Sequence, residues 1–280
     1  HELKKCRLQL LHTRLAIIDK RVVANQPFSR DGVTLVFNGE IYNYVELRNE
    51  LEQFGFIFKT RSDTEVLLCA YLKWGESCLN KLEGMWAFLL FDERRGQVMV
   101  SRDRFGEKPL FFMQDNGNLY LASEVRALAE LAGQKPTPNM KKLAQYLAGG
   151  FRFIHKTNDT SFETIQEFPA AHFAWIENPS EINPKPYWQL TFNPVNISRD
   201  LVVAQVKEKL VQAVSKRLRS DVPLAFCLSG GVDSSSLAAV AGSIDNRKLS
   251  CFSVIDHDPR YNESDNICLM VETLNCQHWK

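Results

Sequence analysis

Long apolar runs, an excess of one charge and paired cysteine motifs are all missing from this 280-residue sequence. No hydrophobic stretch approaches the roughly 18 residues that a membrane-spanning helix needs, and no secretory leader is visible. Lysine and arginine total 34 against 33 aspartates and glutamates, a formal net charge of +1. Both signs are spread along the chain, so no concentrated basic face marks a nucleic acid or a membrane surface as partner. The seven cysteines are odd in number, and none has CxxC spacing. That argues against a disulfide framework and against a zinc site. Several lie in apolar runs (LLCAYL, AFCLSGG, LSCFSV) and read as buried free thiols of a reducing, cytoplasmic compartment. The phosphate-loop signature GxxxxGK[ST], the dinucleotide signature GxGxxG, internal repeats and low-complexity tracts are absent as well.

What is present is ordinary globular composition, 45% hydrophobic and 24% charged, over a length that suits two domains of about 100–200 residues. Residues 1–176 alternate strand-like and helix-like patterns. VTLVF (33–37), MWAFLLF (85–91), QVMVSR (97–102), LFFM (110–113) and LYLAS (119–123) read as strands, with turn signals at 93–96 and 116–118. Their closeness predicts antiparallel meanders. Leu47, Leu51 and Phe54 mark a helix after an Asn43 cap. Ser62 to Glu65 spells a capping box ahead of Val66, Leu67, Ala70, Tyr71 and Trp74 on one face, and Gly75 ends that helix. Ser123 is expected to cap a helix ending at Gly133, and Asn139 another reaching about Leu147.

Residues 177–198 hold four prolines, four asparagines and no period, and read as a linker. Beyond it, Val203, Val206, Leu210, Val214 and Leu218 form one helical stripe. A buried-type strand VPLAFCL (222–228), the turn SGGVDSS (229–235), a helix (235–243), a strand LSCFSVI (249–255) and a second helix (264–275) follow. That order begins a doubly wound parallel α/β sheet.

SGGVDSS is the sharpest motif. It stands at the carboxyl end of a strand, where open α/β sheets bind ligands. Two glycines permit a tight turn and close backbone approach. The helix behind them directs free N–H groups and its positive dipole end at the same spot, which suits a phosphate. Ser229, Ser234 and Ser235 add hydroxyls. Asp233 would repel a phosphate, so it fits only as a cap or as a Mg²⁺ ligand.

The motif resembles the pyrophosphate loop of the ATP-pyrophosphatase superfamily, which includes argininosuccinate, GMP, tRNA-lysidine and asparagine synthetases. The first half selects among them. HTRLAIID (12–19), QP (26–27), NGEIYN (38–43), SDTE (62–65), RDRFG (102–106), KPL (108–110) and SE (123–124) are similar to the class II glutaminase signature, in the order found in asparagine synthetase-type amidotransferases. The resemblance covers nearly the whole chain. It implies an α+β domain (1–176), an αββα antiparallel sandwich of the N-terminal-nucleophile type, then a linker (177–198) and the first part of a synthetase domain (199–280). The activity implied is glutamine-dependent amide synthesis. Glutamine, ATP, Mg²⁺ and an acceptor carboxylate, aspartate favoured, are the implied ligands, and a homodimer the implied assembly. In such enzymes an N-terminal cysteine attacks the glutamine amide.

The same resemblance assigns roles. Asn38 and the Gly39 N–H form the oxyanion hole. Arg14 anchors the glutamine carboxylate, Ile17 and Ile18 line the pocket, and Glu40 and Asp63 hold the α-ammonium. Leu228 and Val254 border adenine, and Ser229, Gly230, Gly231, Asp233, Ser234 and Ser235 hold pyrophosphate, with Asp233 on Mg²⁺. Each also has a plainer reading: Asp63 as part of a helix cap, Asn38 and Gly39 as a hairpin turn, Arg14 as a surface cation. Tyr261, Asn262, Glu263 and Ser264 fall where the family has a Glu-Ser pair, without an assigned role. The nucleophile is not among these residues, since residue 1 is His and Cys6 lacks the family context. A segment carrying it is expected ahead of His1, and further synthetase residues beyond Lys280, so that these 280 residues alone are expected to be inactive. A sugar uronate or a peptide carboxylate is the alternative acceptor. The intact glutaminase set argues against a β-lactam synthetase, and a non-catalytic glutamine- or ATP-binding relative is the reading from another class.

Overall fold

The computed structural model describes residues 2–3, 6–150, 157–244, 248–258 and 260–280, and Glu2, Leu3 and Cys6 have no described side chains. The chain forms two compact units, His1–Thr191 and Phe192–Lys280.

In the first unit β1 (Glu2–Leu3) and β2 (Cys6–Arg7) make a small antiparallel pair. The main strands are β3 (Phe28–Arg30), β4 (Val33–Ile41), β5 (Gly84–Asp92) and β6 (Gln97–Arg102). After β7 (Phe111–Asp115), β8 (Asn118–Ala122) and β9 (Gln166–Glu167) come β10 (His172–Ile176) and β11 (Lys185–Pro186). Six of them form an antiparallel sheet in the order β11–β10–β6–β5–β4–β3, and three form a second sheet, β8–β7–β9. Consecutive strands pair because tight turns join them. Asn116 and Gly117 both take positive φ between β7 and β8, the conformation of a two-residue hairpin turn.

Strand alternation builds four layers. Trp86, Phe88 and Leu90 of β5 pack with Leu35 and Phe37 of β4, under α1 (Tyr44–Gln53) and α2 (Asp63–Trp74). Ala87 and Phe91 face the other way and meet Phe112 of β7 and Phe168. Met113, the next residue of β7, packs with Leu128 of α3 (Val125–Ala132). The result is helices, sheet, sheet, helix: an α+β, αββα sandwich whose central sheet is covered on both faces. Burying each large side chain contributes about 1.5–3 kcal/mol, so this face parity sets the register.

Local chemistry departs from expectation in several places. Ser62 caps α2 by accepting from Thr64 N–H at 3.0 Å, but Glu65 does not close a capping box. It is fully buried and accepts instead from Lys59 and Thr60 N–H, the Thr60 hydroxyl and Arg30. Asn43 precedes α1 without capping it, because its carboxamide bridges Lys81 O and Glu83 N–H. Phe54 ends α1 half exposed, edge-on to Trp74. Asn139 does cap α4 (Met140–Gly149). Residues 177–191 belong to the first unit rather than to a linker: β11 pairs with β10, and Tyr187 stacks on Trp86 and donates to Arg102 O at 2.9 Å.

The second unit has α5 (Arg199–Arg217), β12 (Ala225–Cys227), α6 (Val232–Ile244), β13 (Ser250–Phe252), α7 (Ser264–Leu274) and a strand the sequence did not announce, β14 (Gln277–Trp279). The strands are parallel in the order β12–β13–β14. Leu210, Val214 and Leu218 join the core, whereas Val203 and Val206 are exposed, because only the later turns of α5 meet core residues. Cys69, Cys78, Cys251 and Cys276 are buried, as expected, but Cys227 and Cys268 are exposed. Among the described residues no helix is long and apolar enough to cross a membrane.

Candidate active site

The carboxyl end of β4 carries Asn38, Gly39 and Glu40, opposite Ala87, Trp86 and Met85 of β5. Trp86 turns both of its backbone groups away from β4. Its N–H donates to Asp103 Oδ2 at 3.2 Å, and its carbonyl accepts from Asp103 N–H at 2.9 Å. Opposed antiparallel residues exchange both ladder bonds or neither. Gly39 is therefore free of β5, and its N–H points to the other edge of β4. That edge is secured on either side. The Gln26 carboxamide brackets Phe37, accepting from its N–H at 2.6 Å and donating to its carbonyl at 3.1 Å, and His12 Nε2 donates to the same carbonyl at 3.0 Å. Asp63 Oδ2 accepts from Ile41 N–H at 3.0 Å. The Gly39 N–H lies between these two clamps. A Cβ on Gly39 would stand 2.1 Å from Met85 O, so only glycine lets β4 and β5 close here.

Asn38 Nδ2 donates to the Ser123 hydroxyl at 3.1 Å, leaving its second N–H for another acceptor. Glu40 and the buried Asp63 form a like-charge pair. Burial first, then the charge of Asp63, pushes Glu40 up to about 8, while Lys108 and Arg14 pull it back. Burial also raises Asp63, against the N–H groups of Ile41 and Thr64 and the Ser62 hydroxyl, which favour its anion. The pair thus lacks a full positive counterpart, a condition that an ammonium would relieve.

The loop of residues 14–25 folds around Arg14. Its terminal nitrogens donate to Ile18 O at 2.8 Å, Asp19 O at 2.6 Å, and Arg21 O and Asn25 Oδ1 at 3.2 Å each. Ile18 is buried and Ile17 half-buried. Asp19 locks this loop to the start of α2, accepting from Arg61 N–H at 2.7 Å while Arg21 forks onto its carboxylate at 2.7 and 2.6 Å. Asp103 builds the loop that brings Lys108 to Glu40, accepting from the N–H groups of Phe105, Glu107 and Lys108 at 3.0 Å.

Sequence reasoning gives no role to Gln26, Lys108 or Asp103 and only a helix cap to Ser123, which the structure puts on Asn38 instead, although each lies in a motif segment. Burial of an Asp amid backbone donors has no sequence period to announce it.

In the second unit the turn after β12 is internally bonded. Ser234 Oγ accepts from Ser229 N–H at 3.2 Å, contacts Ser229 Oγ at 3.0 Å and donates to Gly231 O at 3.2 Å. The Ser229 and Ser234 hydroxyls are thus committed to the loop's own shape. Gly230 has φ +81°, and a Cβ there would press on Glu263 O and Asn266 Cβ, both at 3.1 Å. The start of α7 is therefore packed against the loop. Asp233 is exposed in the first turn of α6. Leu228 and Val254 follow β12 and β13 as expected, yet Leu228 is in the core and Val254 is 97% exposed. Among the described residues no group of three or more His, Cys, Asp or Glu could hold a metal.

Residues 2–188 match the glutamine amidotransferase domain family, and residues 205–280 match the asparagine synthase family. Asparagine synthetase [glutamine-hydrolyzing] 1 of Bacillus subtilis (strain 168) is 37% identical over 90% of this chain and 39% of its own length. Putative asparagine synthetase [glutamine-hydrolyzing] 2 of Methanocaldococcus jannaschii is 32% identical over 99% of this chain and 56% of its own. The chain thus spans roughly half or less of these curated relatives. Among solved structures, a Bacillus subtilis glutamine phosphoribosylpyrophosphate amidotransferase aligns with a TM-score of 0.42, at 19% identity, over 81% of this chain and 47% of that chain.

Proposed function

The chain belongs to the glutamine amidotransferase family, and from that premise we propose that the whole protein is a glutamine-dependent asparagine synthase. The first unit would release ammonia from glutamine. The second would belong to an ATP-using synthetase that turns a carboxylate, aspartate favoured, into its amide.

One observation carries the reading. A free Gly39 N–H on the edge of β4 adjoins the Asn38 amide and the under-neutralised pair Glu40 and Asp63. When a thiolate attacks the side-chain amide carbon of glutamine, the carbonyl electron pair moves to oxygen. Gly39 N–H and Asn38 Nδ2–H would donate to that oxyanion; its collapse breaks the C–N bond, ammonia leaves with the proton that the thiol gave to the α-amino group, and water then hydrolyses the thioester. Glu40 and Asp63 would accept the substrate's α-ammonium. Its carboxylate would compete for Arg14 with Arg21 O and Asn25 Oδ1, the two longest and most exposed acceptors of the guanidinium. Ile17 and Ile18 line the same loop.

In the second unit the acceptor carboxylate attacks the α-phosphorus of ATP, pyrophosphate leaves, and ammonia then displaces AMP. Ser229, Gly230, Gly231, Ser234 and Ser235 would hold the pyrophosphate: Gly230 and Ser234 through N–H groups of the loop and the start of α6, Ser235 through its hydroxyl, and Ser229 and Gly231 by setting the loop's shape, with Leu228 and Val254 flanking the adenine. Asp233 offers an exposed oxygen donor beside the loop, which suits Mg²⁺, an ion commonly held by one or two carboxylates plus substrate phosphates. The ion would supply charge neutralisation on the phosphates.

Asn38→Ala in the whole protein should lower glutamine-dependent amide synthesis about 100- to 1000-fold and spare synthesis from added ammonia. Asp233→Ala should abolish both. Unchanged glutamine-dependent turnover in Asn38→Ala would refute the glutaminase assignment.

A further inference from the structure

We propose that Ser123 is a positioning residue for glutamine hydrolysis, holding the Asn38 amide in the orientation that serves the oxyanion. The proposal rests on the reading of Asn38 given above.

Ser123 has the residue type and place of a helix cap, directly after β8 and ahead of α3. It does not cap. The cap position is Glu124, whose side chain makes no capping bond to α3. The hydroxyl reaches instead across 85 positions of sequence, from the second sheet to the first, and accepts from Asn38 Nδ2 at 3.1 Å. A serine taken from the role its position favours and set against a site side chain needs a local reason.

Asparagine supplies one. The torsion that rotates its carboxamide is broad and roughly two-fold, so an amide held only by its backbone sweeps its N–H groups over a wide arc. An oxyanion donor works when it is aimed before charge develops. The hydroxyl fixes one N–H and thereby the amide plane, and the second N–H stays available. Gly39 needs no such help, because its N–H is fixed by the strand. Ser123 therefore acts on the mobile half of the donor pair.

The test uses the complete natural protein carrying Ser123→Ala, Ser123→Thr or Asn38→Ala, with glutamine and ammonia compared as nitrogen donors. Ser123→Ala should lower kcat for glutamine about tenfold, with KM for glutamine within twofold, because the oxyanion exists only after attack. The ratio of glutamine- to ammonia-dependent rates should fall by the same factor. Ser123→Thr keeps the hydroxyl and should restore kcat to within about threefold of the parent, and it remains informative if the alanine variant folds poorly. An alanine variant with unchanged kcat would overturn the proposal. So would a raised KM at constant kcat, or an equal loss with both nitrogen donors. If Asn38→Ala itself keeps glutamine turnover, the glutaminase reading has failed, whatever Ser123 does.

Discussion

The ionisable residues around β4 are held in two opposite ways, and pH separates them. Asp19 is stabilised as an anion by Arg21 and the Arg61 N–H, which hold its carboxyl well below the ordinary carboxylate range. Its contribution is complete above the unfolded pKa of about 4 and is lost as pH falls through the folded value. Asp19→Asn tolerates the positive φ of this position as well as aspartate does, so it isolates the charge. It should lower stability by about 1–2 kcal/mol at pH 7, measured by urea unfolding, with the gap closing in acid. Glu40 behaves in reverse. Burial and Asp63 raise its pKa, so the folded state holds the proton more tightly, and stability falls as pH rises from the ordinary carboxylate range toward the folded value. Glu40→Gln should be more stable than the parent at pH 8, and the difference should vanish near pH 4, followed by thermal unfolding across pH. A stability gap that did not depend on pH would contradict the paired-carboxylate account.

At the scale of elements, the site is the end of one strand and the loops clamped to it. Gly39→Ala would drive a methyl into Met85 O and should cost about 3 kcal/mol or more, read as a fall in the unfolding midpoint together with loss of glutamine hydrolysis. Asp103→Ala would leave the N–H groups of Trp86, Phe105, Glu107 and Lys108 without their shared acceptor. A destabilisation of about 3 kcal/mol or more is expected, with a raised KM for glutamine as Lys108 loosens. Elements of this kind were legible where one period or one cap decided them: β6, the Asn139 cap of α4, the Ser62 cap of α2. They were not where side chains serve distant backbone. Asn43, Ser123 and Glu65 all have capping chemistry, and all three bond elsewhere. Local pattern registers the capacity of a residue to bond, whereas tertiary packing chooses the partner.

At the scale of the molecule, motif order announced the two-part organisation. The αββα layering follows from strand parity once the second sheet is in place. Composition misjudged residues 177–191, because prolines and asparagines suggested a linker, yet Tyr187 and β11 are bound to the first unit. The apolar stripe on α5 is legible from Val203 to Leu218, although only its later part meets the core. In the second unit SGGVDSS stood out because glycine, serine and aspartate at a strand end have few other uses. β14, three residues long, carries too short a pattern to be seen in advance.

The central claim is that the first unit is an N-terminal-nucleophile glutaminase, and the residue at the start of the mature natural protein tests it most directly. Intact mass and N-terminal sequencing of that protein should show a cysteine with a free α-amino group. Any other first residue, or a blocked amine, would contradict the mechanism assigned to Asn38 and Gly39.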